Sequence, residues 1–210
     1  MKEAAEFDKE LEKIMVQEKI ILASASPRRR EILQMAGIDF TVCVSDVDES
    51  SDANASPCEL VCALARKKAE AVAALHPGKT VLGADTVVCI DGMALGKPKN
   101  RNDAHTMLMK LSGRKHEVFT GFCILRGEHC INDYERTAVC FRELGEDEIN
   151  WYLDTGEPFD KAGAYAIQGK GGLFIRRIEG DYYNVVGLPI CRIFMEFEKL
   201  REGAEAYVLG

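Results

Sequence analysis

Apolar and polar positions alternate at two periods along the chain, and the switches between them divide it into short elements. Ile20, Ile21 and Leu22 form a continuous apolar run that predicts a buried strand over 19–23. The run breaks at small residues and Ser26-Pro27, after which Ile32, Leu33 and Met35 resume at helical spacing. Ser26 reads as the N-cap and Pro27 as the first helical position. Residues 40–50 alternate as a half-buried strand that runs into an acidic loop. Leu60, Val61, Leu64, Ala65, Lys68, Val72 and Leu75 predict a long helix closed by His76-Pro77-Gly78. Over 80–98 the pattern predicts a strand, a small-residue bend, a second strand and a hairpin at Asp91-Gly92. A helix capped by Asn102 or Asp103 ends at Gly113, and a meander of two or three antiparallel strands follows, turning near Arg126-Gly127. A short helix stopped by Gly156 and Pro158, more strand with glycine turns, and a helix after Pro189 complete the chain.

Helices and strands alternate with hairpins between them, which predicts an α/β fold: a mixed twisted sheet with flanking helices, in two lobes. Phe7, Leu11, Ile14 and Met15 mark a surface helix ahead of the first strand. The expected organisation is a helical extension over 1–18 and a single domain over 19–205.

Composition narrows the function. The 210 residues carry a net charge of −7, so a broad basic face for nucleic acid is not expected and an anionic ligand must meet a small concentrated site. No apolar stretch approaches the ~20 residues that span a bilayer. The N-terminal run is acidic and amphipathic rather than patterned as a signal peptide, so a cytoplasmic protein is expected. The eight cysteines form no C-x-x-C pair and are expected to be buried free thiols.

Arg28, Arg29 and Arg30 fall in the first turn of the helix after Ser26, where each cation costs roughly 0.3–1 kcal/mol against the helix dipole. An anion at that helix end would reverse the penalty. Free backbone N–H groups, the Ser24 and Ser26 hydroxyls and the Arg28 and Arg29 guanidiniums would converge on a phosphate. The plainer alternative is that the arginines pair with acidic neighbours in solvent. Asp85 stands between small residues in an apolar segment, which suits either a turn or a paired, cation-binding carboxylate. The acidic run over 46–50, Lys68 and Lys97 are each unremarkable alone. As a set, the carboxylates suit a hard cation such as Mg²⁺ and the basic groups suit phosphate oxygens, a coherent arrangement for hydrolysing a phosphoanhydride. A P-loop, a dinucleotide fingerprint, a G-x-S-x-G elbow and a histidine metal site are all missing from the sequence.

The segments "LASASPRRREIL", "LARKKAEA", "LGADTVV", "LGKP", "KLSGR", "VFTGF", "TGEPFDKAGAYAIQG" and "VVGLPI" occur in this order between about residues 19 and 200. Together they resemble the Maf family of nucleoside triphosphate pyrophosphatases. The resemblance implies a fold like that of the inosine triphosphatases (Maf/Ham1), with a deep cleft between two lobes. It further implies metal-dependent hydrolysis between the α- and β-phosphates. The cation would be Mg²⁺, with Mn²⁺ or Co²⁺ as alternatives. Asp85 would be the proton acceptor, with Glu49 and Lys97 also catalytic, and Glu49 and Asp85 would hold the metal. Ser24, Ser26, Arg28, Arg29 and Lys68 would bind phosphate. Arg28, Thr86 and Gln168 match the branch that acts on dTTP and UTP. Expected partners are a nucleoside triphosphate and a second copy of the chain, as common among relatives, with no stable nucleic-acid complex and no membrane. A nucleotide-binding regulator of septum formation, acting without turnover, is the alternative that the same family suggests.

Overall fold

A computed structural model describes residues 19–47 and 55–208, with side chains to residue 200. The expected 1–18 helix and Glu49 lie outside the described residues. In chain order the elements are β1 (Ile20–Ala23), α1 (Pro27–Met35), β2 (Phe40–Val42), α2 (Pro57–Ala73), β3 (Val81–Ile90), β4 (Met93–Leu95) and α3 (Arg101–Leu111). There follow β5 (Lys115–Arg126), β6 (His129–Phe141), α4 (Glu146–Asp154), β7 (Ile175–Glu179), α5 (Tyr182–Val186) and α6 (Ile190–Val208). Three 3₁₀ turns, at Glu157–Asp160, Ala162–Ala164 and Lys170–Phe174, separate α4 from β7.

The described strands form one seven-stranded mixed sheet in the order β2-β1-β3-β5-β6-β7, with β4 added to β3. β1 pairs in parallel with both β2 and β3, whereas the β3–β5, β5–β6 and β6–β7 pairs are antiparallel. This is the expected mixed α/β architecture. Two cores lie along one face of the sheet. One gathers Leu22, Leu33, Leu82, Ala84, Phe122 and Ile193, and the other gathers Val88, Ile90, Leu108, Val118, Phe141 and Tyr152. β3 and β5 run through both, and their middle residues, Thr86 and Thr120, belong to neither. That interruption separates the two cores.

The opposite face of β3 and β5 is covered by α2, whose N-terminus carries a capping box: Ser56 accepts from the Glu59 backbone N–H and the Glu59 carboxylate accepts from the Ser56 backbone N–H. The helix lies unusually close to the sheet. A Cβ on Gly83 would fall on the Ala65 carbonyl oxygen and 2.9 Å from the Ala69 nitrogen, and one on Gly121 would lie 2.7 Å from the Cys62 nitrogen. Side chains at these two positions are excluded because backbone occupies the space.

Several expectations are corrected. The bend expected within 80–98 is absent: Gly83 and Ala84 continue one ten-residue strand, and their smallness serves helix approach. The 40–50 strand is only Phe40–Val42, because β2 is a mostly exposed edge strand. Asn100, not Asn102 or Asp103, caps α3, its side chain accepting from the Asp103 backbone N–H at 2.9 Å. In the stretch from 162, expected as strand with glycine turns, residues 162–174 are largely 3₁₀ turn and the strand begins only at Ile175. All eight cysteines are free, but only Cys89 and Cys123 are buried. Cys130 lies exposed near the β5–β6 turn, and Cys191 lies exposed in the first turn of α6. No helix of the described residues is long and apolar enough to cross a membrane.

Gly83→Ala forces α2 off β3. We expect a loss of about 2–3 kcal/mol in urea unfolding and, because α2 carries Lys68 and β3 carries Asp85, slower turnover.

Candidate active site

The sheet has a break in it, and the cleft occupies the break. β5 fills one edge of β3 from Val81 to Cys89. On the other edge β1 ends its pairing at Gly83 and β4 begins at Val88, so Ala84–Val87 have no strand neighbour there among the described residues. A cavity of about 680 Å³ opens at this gap. Its walls include the β1–α1 turn, Lys68 and Leu64 of α2, Lys97 after β4, the 160–168 segment and Val185–Gly187.

The three consecutive arginines have three different fates. Arg29 is only 8% exposed and reaches into the break. Its Nη1 donates to the Ala84 carbonyl at 2.8 Å and to Ser24 Oγ at 2.9 Å, its Nε to the Gly187 carbonyl at 2.8 Å, and its Nη2 to Thr86 Oγ1 at 3.0 Å. Expected to grip phosphate, this guanidinium instead spends these donors on protein acceptors, including a carbonyl that the missing strand leaves open. Arg28 stays at the cleft wall, 3.8 Å from Asp160 Oδ2. Arg30 turns back to the Ala25 carbonyl at 2.9 Å.

Both serines face the cavity. Ser26 has N-cap backbone angles but makes no capping hydrogen bond, so the first turn of α1 is not closed by its own side chain. Ser24 Oγ accepts from Arg29 and, at 3.3 Å, from the Ser26 backbone N–H. Those two bonds use its lone pairs, which leaves the hydroxyl to act on a ligand as a donor.

Asp85 and Thr86 point to opposite faces of β3, as successive strand residues must. Asp85 faces α2, where Lys68 Nζ donates to its Oδ1 at 2.6 Å. The pair is partly buried, at 17% and 11% side-chain exposure, so each charge is compensated where solvation is reduced. Its second carboxylate oxygen accepts no hydrogen bond from protein among the described residues. Thr86 faces the opposite wall. Thr120 donates its hydroxyl to the Asn184 carbonyl at 2.9 Å, so in the 3.0 Å Thr86–Thr120 bond the proton comes from Thr86. The chain Arg29→Thr86→Thr120→Asn184 thus has one direction, and Thr86 can offer a ligand only acceptor capacity and its methyl group.

Lys97 is exposed at the rim, and Gln168 lines the cavity as an exposed residue. Sequence reasoning missed Asp160 and Lys161, which also line it and form an ion pair. Partial burial alone would raise the Asp160 carboxyl, but the Lys161 hydrogen bond and charge, with Arg28, outweigh it and hold the group below its ordinary range. The signal was present as Asp-Lys followed by the small residues 162–164, a charged pair at the mouth of a tight turn. Asp85 and Asp160 are the carboxylates among the described lining residues, and no group of three metal-type ligands occurs among the described residues. That donor set fits a cation of the Mg²⁺ kind, which needs one or two carboxylates plus waters and substrate phosphates, rather than a metal caged by protein. Across the cavity, Tyr165 is held from behind by His116, whose Nε2 lies 2.9 Å from the Tyr165 hydroxyl.

The family model described as Maf-like protein matches residues 19–200. The dTTP/UTP pyrophosphatase of Bacillus cytotoxicus is 52% identical over 186 residues, covering 89% of this chain and 97% of the relative. The dTTP/UTP pyrophosphatase of Bacillus cereus is 51% identical over 181 residues, covering 86% and 95%. The structure of the Staphylococcus aureus Ham1 protein matches 86% of this chain and all of its own at 18% identity, with a TM-score of 0.48.

Arg29→Lys sets three donors on one atom against four acceptors, so at least one is left unpaired in a buried site, and we expect a loss of about 1–3 kcal/mol in urea unfolding. Burial lowers the pKa of His116 to about 4 from its ordinary 6.5. The unfolded chain therefore binds the proton first, so this contribution is full above pH 6.5 and disappears as pH falls toward 4. The expected loss is about 3 kcal/mol, seen in urea titrations across that window and absent in His116→Phe.

Proposed function

The chain belongs to the Maf-like protein family, and from that premise we propose that it is a nucleoside triphosphate pyrophosphatase acting on dTTP and UTP. The observation that carries the reading is the Asp85–Lys68 pair, set in a sheet break that faces the open first turn of α1. Around it Arg28, Lys97 and Lys161 supply positive charge in a protein that is acidic as a whole. This is the small concentrated anion site that the net charge demands.

Each residue then has a task. The α1 backbone N–H groups and the Ser24 and Ser26 hydroxyls donate to phosphate oxygens, while Arg28, Lys97, Lys161 and Lys68 neutralise the tail. Asp85 takes a proton from the attacking water through the carboxylate oxygen that Lys68 leaves open, and Lys68 keeps that carboxylate oriented. One water is consumed: its oxygen joins one side of the α–β anhydride, the bridging bond breaks, and the monophosphate, pyrophosphate and one proton leave. Asp85 would hold a Mg²⁺-like cation together with Glu49, and the cation would supply charge neutralisation for the departing pyrophosphate. Arg29 acts at one remove, fixing Ser24, Thr86 and Gly187 relative to the strand. Gln168 at the rim can both donate to and accept from a base edge, which suits the adjacent N3–H and carbonyl of uracil and thymine. The setting for this chemistry is the cytoplasm.

With Mg²⁺ present, the protein is expected to release pyrophosphate from dTTP and UTP well ahead of ATP and GTP. Asp85→Asn should lower kcat by about 10²–10⁴-fold. Orthophosphate as the first product would show that another bond is cut.

A further inference from the structure

Gln168 makes no side-chain hydrogen bond to protein among the described contacts, yet a specificity residue must be held within a fraction of an ångström. The polypeptide around it is held instead. Tyr152 of α4 is fully buried, and its hydroxyl accepts from the Ala166 backbone N–H at 3.2 Å while donating to Glu157 Oε1 at 2.8 Å. Glu157 in turn accepts from the Gly171 backbone N–H at 3.1 Å through Oε1 and from the Lys170 backbone N–H at 3.0 Å through Oε2. The loop is therefore tied on both sides of Gln168, two residues before and two residues after, to one Tyr–Glu pair.

The glycines show that the loop is built around this anchor. A Cβ on Gly169 would fall on the Glu157 carboxylate, and one on Gly171 would lie 2.8 Å from the Tyr152 hydroxyl oxygen. Neither Glu157 nor Tyr152 lines the cavity, so neither is placed to touch a ligand. Burial by itself would raise the Glu157 carboxyl, but the Lys170 and Gly171 N–H groups, Tyr152 and Lys161 outweigh it and favour the ionised form. An ionised acceptor is the one that can hold two backbone donors and a phenol together.

We infer that Glu157 and Tyr152 are positioning residues that set the place of Gln168, and through it the preference for uracil and thymine bases. The inference rests on the reading of the cleft as a nucleoside triphosphate site. Glu157→Gln turns an amide N–H₂ toward a backbone donor and loosens the loop. Tyr152→Phe leaves both backbone bonds to Glu157 in place, and removes the phenol's donation to Glu157 and its acceptance from Ala166.

The test measures kcat and KM for UTP, dTTP and CTP, with amide hydrogen exchange at Lys170 and Gly171 in the nucleotide-free protein. In Glu157→Gln, exchange at both amides should rise at least about tenfold. The UTP:CTP ratio of kcat/KM should fall about tenfold, mainly through KM. Tyr152→Phe should give a smaller fall, about threefold. Combining Glu157→Gln with Gln168→Ala should remove no more selectivity than Gln168→Ala alone. Equal losses on all three nucleotides, or losses that add in the double variant, would overturn the inference. Unchanged exchange would overturn the anchor itself whatever the nucleotide results. A wild-type protein inactive on UTP and dTTP would overturn the proposed function and the specificity half of the inference, leaving the anchor to be judged by exchange.

Discussion

The structure depends on how a strand edge is completed where no strand lies beside it. β3 is paired by β1 up to Gly83 and by β4 from Val88, and the interval between them would leave backbone acceptors facing an opening. Arg29 closes it, giving the Ala84 carbonyl one donor and tying Ser24, Thr86 and Gly187 to the same guanidinium. A lysine has too few fixed donors for that geometry. Because the break is held open by a rigid fork instead of filled by a strand, a cavity can sit directly against the backbone of the central strand.

Charge placement follows from the same constraint. Arg29 at the third helical position looks misplaced against the α1 dipole until its inward direction is seen. Arg28 and Lys161 share Asp160 at the cleft mouth, so an internal carboxylate partly satisfies cations that a phosphate could take over. On the far side of β3, the glycines at 83 and 121 let α2 settle onto the sheet, which brings Lys68 to Asp85. Two short contacts, one of helix on glycine and one of arginine on carbonyl, thus fix the two halves of the site from opposite faces of one strand.

Much of this was legible in the sequence, and the failures have physical causes. Helices α1 and α2 were readable because a Ser-Pro start in the first, a Pro-Gly stop in the second and apolar spacing in both act within a few residues. The continuous β3 was misread as two strands because Gly83 and Ala84 mimic a bend, and only the helix pressed against them shows their purpose. Arg29 could not be told from Arg28, since burial depends on an opening in β3, whose Ala84 carbonyl lies 55 residues further along the chain. Asp160 and Lys161 were passed over because they lie in a turn-rich stretch with no hydrophobic period to frame them. The Tyr152–Glu157 anchor was equally hidden: its partners are backbone N–H groups, which leave no mark on composition. Asp85, by contrast, could be found as a lone acid in an apolar strand, and the structure places it beside a lysine at the cavity.

The most direct test is a structure of the protein with Mg²⁺ and a UTP or dTTP analogue whose α–β bridge cannot be cut. The account predicts the triphosphate tail between the first turn of α1 and Lys68, the α-phosphate beside Asp85, and the base at Gln168. A nucleotide bound away from the β3 break, or one whose phosphates point out of the cleft with Asp85 still closed on Lys68 alone, would contradict it.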